Sequence, residues 1–167
     1  MCQYCGCQDI PAIKLLTTEH DNALNHVRDA EIAARAQNAD TARSAAAALA
    51  DVLATHLAVE EQGLFPALAD AFPEHVQVLE GEHKQIEHTL AEMSIAGQPA
   101  PGWDIRLLQT MDLLREHILK EQDGLFPAAL ANLDADDWDR LDTVRERVAA
   151  GRRPTGTPPE PARTDCR

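Results

Sequence analysis

Apolar residues recur every three or four positions through four long segments of the chain, which is the spacing of one face of an α-helix. These segments run from Pro11 to about Asn38, from Asp40 to Ala69, from Pro73 to Ile95 and from Asp104 to Ala131. Short connections that contain proline, glycine or polar residues separate them. The pattern predicts an all-α fold, an antiparallel up-down-up-down four-helix bundle.

The two ends of the chain differ from this bundle. The stretch DADDWDRLDTVRERVAAG, which follows Leu133, has an apolar face of helical period and predicts a short fifth helix. Residues 151–167 are rich in proline and almost free of apolar side chains, which predicts a disordered C-terminal tail. We therefore divide the chain into a Cys-rich N-terminal segment (1–10), the bundle domain (11–150) and the tail (151–167).

An internal repeat relates the two halves of the bundle. THLAVEEQGLFPAL, which begins at Thr55, resembles EHILKEQDGLFPAAL, which begins at Glu116. A weaker match relates LTTEH, which ends at His20, to LEGEH, which ends at His83. The repeat predicts two similar helical hairpins that face each other across a pseudo-two-fold axis.

Each strong copy of the repeat has a glycine and a proline near the end of its helix. Pro66 and Pro127 predict kinked helix ends, because proline removes a backbone hydrogen bond. A helical projection places Gly63 and Gly124 on the inner face, one turn beyond a glutamate. There they either leave room for a ligand or loosen the helix before the proline, and the sequence does not separate these alternatives.

Composition restricts the partners of the protein. The chain has 167 residues, 44% of them apolar, and a formal net charge of −13. So acidic a protein repels nucleic acid and anionic lipid, and neither is an expected partner. No apolar run approaches the roughly 18 residues of a membrane span, and the N-terminal sequence has no apolar signal segment. We expect a cytoplasmic protein.

Cysteines cluster at the N-terminus, where Cys2, Cys5 and Cys7 are close in sequence. Three neighbouring thiols can bind a soft metal or take part in redox exchange, but no clear fourth ligand accompanies them. Structural zinc, a redox function and simple free thiols are the alternatives, and all three stay open.

The main chemical signal is a set of polar residues on the apolar faces. Each of the four long helices has one histidine near the centre of its inner face: His20, His56, His83 and His117. Glu60 and Glu121 follow two of these histidines by four residues, so they lie on the same face one turn later.

Ionisable groups in an apolar core are costly unless they are paired. A pair of divalent metal ions removes that cost, and imidazole nitrogen with carboxylate oxygen suits iron, zinc or manganese. Two metals that share carboxylates need ligands from all four helices at one level, which is what the pattern supplies.

Neighbouring polar residues have less certain positions. Glu61 and Gln122 lie about 140° from the inner histidines on a helical projection, so they are predicted to face solvent. Glu19, Glu82 and Glu116 each precede a histidine of the inner set. These three glutamates either accept hydrogen bonds from imidazole N–H groups or belong to a solvated acidic face.

The order of the inner residues resembles the hemerythrin-like family. A histidine comes first, then His-x3-Glu, then another histidine, then a second His-x3-Glu, and Gly-Leu-Phe-Pro follows shortly after each glutamate. The resemblance covers roughly residues 20 to 130. It implies a four-helix bundle that holds two non-heme iron ions bridged by carboxylates and an oxo or hydroxo group.

The resemblance also implies a role for each of these side chains. Glu60 and Glu121 would bridge the two irons. His20 and His56 would be terminal ligands of one iron, and His83 and His117 would be terminal ligands of the other.

One position departs from the oxygen-carrying hemerythrins, which have a fifth histidine four residues after the one that matches His83. Here that residue is Glu87, so the fifth terminal ligand is either Glu87 or water. A carboxylate ligand would stabilise the ferric state, which predicts easier autoxidation than in a reversible carrier. It would also leave the open position on the iron of His20 and His56.

Three functions follow from these observations. The leading one is a di-iron protein that binds or reacts with a small oxidant such as dioxygen, peroxide or nitric oxide, and catalase-like activity and sensing are not separated. The second is an iron-handling protein of ferritin-like or rubrerythrin-like type, for which only the pair Glu80 and His83 has the required spacing. The third is a binding module in which the metal is structural and the Cys-rich segment contacts a partner.

Overall fold

The computed structural model describes residues 10–95, 97 and 99–152, and their regular structure is helical throughout. Four long helices confirm the predicted bundle: α1 (Pro11–Arg35), α2 (Ala39–Val59), α4 (Pro73–Ser94) and α5 (Trp103–Lys120). Short helices extend two of them, α3 (Phe65–Leu68) after α2 and α6 (Phe126–Asn132) after α5. A last helix, α7 (Ala135–Arg152), follows the bundle.

Helix boundaries coincide with residues that favour them. The Asn38 side chain accepts a hydrogen bond from the Thr41 backbone N–H at 3.1 Å, which caps the start of α2. Pro11 and Pro73 occupy the first position of α1 and α4, where the missing N–H costs nothing. Gly102 precedes α5 with φ of 75°, a left-handed conformation that glycine adopts without strain.

The four long helices form a closed ring in which α1 packs against α2 and α5, and α4 packs against the same two helices. One end of the core is rich in alanine from α1 and α2, which lets these helices approach closely. The other end contains the buried rings of Phe65 and Phe126. The polar residues of the inner faces lie at the level between these two apolar clusters. No helix among the described residues has the length and apolarity that a bilayer crossing requires.

A π-helical turn joins each long helix to its extension, π1 (Glu60–Leu64) after α2 and π2 (Glu121–Leu125) after α5. The Phe65 N–H donates to the Glu60 carbonyl, and the Phe126 N–H donates to the Glu121 carbonyl. The wider turn inserts one extra residue into the helix. The π turn also accommodates the following proline, which has no backbone N–H to donate. The helix therefore continues through Pro66 and Pro127.

These π turns overturn the prediction for Gly63 and Gly124. The extra residue rotates both glycines away from the inner face, and the next residues, Leu64 and Leu125, are buried instead. Gly63 lies against α7, where an added Cβ would come within 2.4 Å of a methyl group of Leu141. Gly124 is exposed, with no atom within 4 Å of such a Cβ. Neither glycine makes room for a ligand in the core.

The predicted fifth helix is present as α7, which packs against α1, α2 and π1 through the buried Leu141. It continues through Gly151 to Arg152, slightly beyond the predicted boundary of the bundle domain at residue 150. Apart from Ile10, Gly151 and Arg152, the predicted Cys-rich segment and the predicted tail lie outside the described residues.

Candidate metal centre

The four inner histidines meet at one level of the bundle. His20 comes from α1, His56 from α2, His83 from α4 and His117 from α5, and each is at most 2% exposed. Glu60 and Glu121 are the first residues of π1 and π2 and are fully buried. The structure thus brings together six of the predicted site residues, each from the expected helix or from its π-helical continuation.

The imidazole rings meet in two pairs. The Nε2 atoms of His20 and His56 are 3.0 Å apart, and the Nε2 atoms of His83 and His117 are also 3.0 Å apart. Within each pair the ring planes are inclined by about 60°, at 62° and 61° respectively. All four Nε2 atoms point inward, so each pair presents two nitrogen donors to the interior.

The two glutamates lie between these pairs. Glu121 places Oε2 3.0 Å from Nε2 of His20 and Oε1 3.1 Å from Nε2 of His117. Oε2 of Glu60 is 3.2 Å from Nε2 of His56 and 3.5 Å from Nε2 of His83. Each carboxylate therefore contacts one histidine of each pair.

Two overlapping groups of potential metal ligands result, each with ligand atoms within 4.8 Å of one another. Both groups contain Glu60 and Glu121; His20 and His56 complete the first group, and His83 and His117 complete the second. We call the place where the first group could hold a metal ion the first position, and the place where the second group could hold one the second position.

The carboxylates have the properties expected of metal ligands. Their four oxygens are buried, and none makes a well-aligned hydrogen bond to any described residue, although histidine nitrogens lie close. Burial and the charge of Glu121 raise the pKa of Glu60 well above its usual range. Burial acts on Glu121 in the same direction, but the charges and close Nε2 contacts of His117 and His20 outweigh it and lower that pKa. Without a cation, only one of the two carboxyls is readily ionised, and bound metal ions would stabilise both as anions.

A comparison with protein families agrees with this geometry. The family model described as the Hemerythrin HHE cation binding domain matches residues 12–129, well over half of the chain. The chain belongs to the hemerythrin HHE cation-binding family. No curated protein and no solved structure gives a significant match.

In this hemerythrin-family chain, the outer nitrogen of each inner histidine also has a partner. Nδ1 of His56 is 3.1 Å from Glu19, and Nδ1 of His117 is 2.9 Å from Glu82. These contacts resolve the open role of Glu19 and Glu82, each of which immediately precedes the histidine of its own helix. Glu116, in contrast, is exposed.

Two further partners come from residues predicted to face solvent. Glu61 contacts Nδ1 of His83 at 3.0 Å, and the side-chain amide of Gln122 places its nitrogen, Nε2, 3.2 Å from Nδ1 of His20. Glu61 is exposed as predicted and Gln122 is half-buried, but the projection missed their contacts with the histidines because it assumed regular α-helical spacing, whereas both residues lie within π turns. Their position directly after a glutamate in both copies of the repeat was the sequence signal that could have identified them.

Glu87 is the one predicted ligand that the structure does not bring to the centre. It is exposed and belongs to neither group of potential ligands. Burial, followed by the charge of Glu61, raises the pKa of the Glu87 carboxyl. Its side chain borders the groove between α2 and α4.

Proposed function

We propose that this hemerythrin-family protein holds two iron ions and reacts with a small oxidant: dioxygen, peroxide or nitric oxide. The observation that supports this proposal best is the position of Glu60 and Glu121, each of which contacts a histidine from both pairs. A carboxylate in that position is suited to bridging two metals. The mixed nitrogen and oxygen donors are consistent with iron.

Each residue has a defined task in this proposal. His20 and His56 would hold one iron through Nε2, His83 and His117 would hold the other, and Glu60 and Glu121 would be shared between them. When bound, a carboxylate-bridged iron pair supplies electrons and open coordination positions to a small oxidant. Each group offers only four protein ligands, so open positions are available at both irons and do not depend on Glu87.

The surroundings restrict what can react. Phe65 stacks on the ring of His83 at 5.2 Å between centroids, and Phe126 stacks on His20 at 5.6 Å. Both phenyl rings are fully buried, so they exclude water and fix the imidazoles in place. Because all six potential ligands are at most 2% exposed, the centre suits diatomic molecules and peroxide and excludes larger substrates.

The alternatives have less support. Glu80, the only residue with ferritin-like spacing to His83, belongs to neither group of potential ligands. A purely structural metal remains distinguishable by its chemistry, because a closed centre has no position for an added anion.

Metal analysis and optical spectroscopy of protein produced with iron test the proposal. We expect about two irons per chain and charge-transfer bands that azide perturbs. Hydrogen peroxide should oxidise the reduced protein, and the absorbance change separates this reaction from simple binding. Glu116→Gln is the matched control, because Glu116 is exposed and should leave the metal content unchanged. One zinc per chain, or a spectrum insensitive to azide, would contradict the proposal.

A further inference from the structure

The contacts around the metal centre repeat almost perfectly between the two hairpins. Glu19 holds His56 as Glu82 holds His117, in each case across to the neighbouring helix. The residue that follows each central glutamate contacts one of the other two histidines. Glu61 contacts His83, and its counterpart Gln122 contacts His20. The repeat is broken here: His83 has a carboxylate partner and His20 has an amide partner.

The surrounding charges increase this difference. Arg145 of α7 pairs with Glu19 at 2.5 Å, and Lys120 pairs with Glu82, so each of these carboxylates has its own cation. No arginine or lysine of the described region forms an ion pair with Glu61, whose only ion-pair partner there is His83. The second position is therefore surrounded by one more uncompensated negative charge than the first.

We propose that Glu61 and Gln122 make the two metal positions unequal, so that the second position binds a divalent ion more tightly than the first. This inference rests on the proposed dinuclear centre. Glu61 and Gln122 act as positioning residues, because each works through a histidine and touches no metal itself.

The physical reason is the proton on the outer nitrogen. When Nε2 of an imidazole binds a metal, Nδ1 carries a proton and donates it in a hydrogen bond. A carboxylate acceptor draws that proton more strongly than an amide does, which makes the imidazole a stronger electron donor. For His20, the amide of Gln122 has to present its oxygen to Nδ1, and that oxygen is uncharged. Replacing such an outer partner typically changes metal affinity by about 10-fold to 100-fold.

Zinc-loaded full-length protein labelled with ¹⁵N at histidine tests the inference, because NMR reports each imidazole separately and zinc has no redox chemistry. Added EDTA should remove zinc from His20 and His56 first, at a chelator concentration about 10-fold below that needed for His83 and His117. Glu61→Gln should bring the two release steps together by weakening the second position. Gln122→Glu should bring them together by strengthening the first.

The exchanged double variant, Glu61→Gln with Gln122→Glu, provides the sharpest control. It keeps the composition and nearly the same shapes, and it should reverse the order of release. Simultaneous release from both pairs in the unchanged protein would overturn the inference, as would an order that none of the variants alters. Fewer than two zinc ions before chelation would instead contradict the proposed dinuclear centre, so the two failures are distinguishable.

Discussion

The two hairpins of this bundle have the same potential metal ligands but different surroundings. In the first hairpin, α7 covers π1, and Leu141 fills the space beside Gly63. In the second, no described residue lies within 4 Å of a Cβ placed at Gly124, which borders a cavity of about 150 Å³ lined mainly by apolar side chains. The interior of the repeat is thus nearly symmetric, while its exterior is not.

This difference shows where the repeat is constrained. The proposed dinuclear centre would need equivalent donors from both halves, which accounts for the matching types of His20 and His83 and of Glu60 and Glu121. Packing outside the centre has no such requirement, and one half has acquired a covering helix. The contrast between Glu61 and Gln122 lies at the border between these regions, within contact of the histidines but partly accessible to water.

The largest effect is expected from substituting either of the two central glutamates, which makes the two halves of the interior unequal. Glu60→Gln and Glu121→Gln each remove a carboxylate that belongs to both groups, so either should lower iron content from about two to below about 0.2 per chain. Metal analysis of purified protein measures this. A variant that kept one tightly bound iron would show that the carboxylates serve separate metals.

A second prediction concerns how the stability of the metal-free protein depends on pH, because the pKa values of Glu60 and Glu121 are shifted in opposite directions. The pKa of Glu60 is raised in the folded protein, so between its unfolded and its folded pKa the folded state keeps a proton that the unfolded chain has lost. The free energy of unfolding therefore falls as pH rises between these two pKa values. The pKa of His117 is also raised: burial opposes this shift, but the charge and close contact of Glu121 and the hydrogen bond with Glu82 outweigh it.

Two other histidines act in the opposite sense at lower pH. Burial, then the charge of His117, lowers the pKa of His83 to about 4, and burial lowers the pKa of His56. These groups add stability as pH rises, but only up to about 6.5, the ordinary pKa of histidine. Above that pH, the free energy of unfolding should fall by about 1.4 kcal/mol per unit for each proton that the folded state retains.

Urea denaturation at several pH values checks this sign, with chelator present throughout. Glu60→Gln should reduce the decline in the free energy of unfolding with rising pH, since the amide imitates the protonated carboxyl. Glu121→Gln should destabilise the protein across the range, because it removes the anion that faces His20 and His117. Equal effects of the two substitutions would contradict the assigned difference.

The third prediction compares the cations that hold the outer glutamates. Arg145→Met should lower the free energy of unfolding by about 2 kcal/mol, because Glu19 is partly buried and would lose a charged hydrogen-bond partner. Lys120→Met should cost less than about 1 kcal/mol, since the Lys120 side chain is 45% exposed. Chemical denaturation of metal-free protein measures both, and a larger effect at Lys120 would count against α7 as an anchor of the first hairpin.

The smallest effects concern the two glycines. Gly63→Ala should destabilise the protein by about 1 kcal/mol, because Leu141 has to move away from the new methyl group. Gly124→Ala should stabilise it by about 0.5 kcal/mol, because alanine restricts the unfolded chain and meets no neighbouring atom. Thermal unfolding of the pair should give shifts of opposite sign; shifts of the same sign would show that α7 does not occupy the space beside Gly63.

Much of this architecture was predictable because apolar periodicity determines which face of each helix is buried. The same projection placed the four histidines, Glu60 and Glu121 on the inner faces. It failed at Gly63, Gly124 and Gln122, which all lie within the π turns. Regular spacing of about 100° per residue cannot anticipate an inserted residue.

Glu87 shows a different limit. The sequence left either Glu87 or water as the fifth terminal ligand, and α4 places Glu87 at the edge of the apolar face, where solvation of the charge is available. Periodicity alone does not decide the burial of a residue at such an edge. The choice depends on the neighbouring helix, which the sequence of α4 does not contain.

Anomalous diffraction from crystals of the iron-loaded protein, recorded at the iron absorption edge, tests the central claim most directly. The account predicts two anomalous peaks, one bound by His20 and His56 and the other by His83 and His117, with Glu60 and Glu121 in contact with both. A single peak, or iron elsewhere in the bundle, would contradict it.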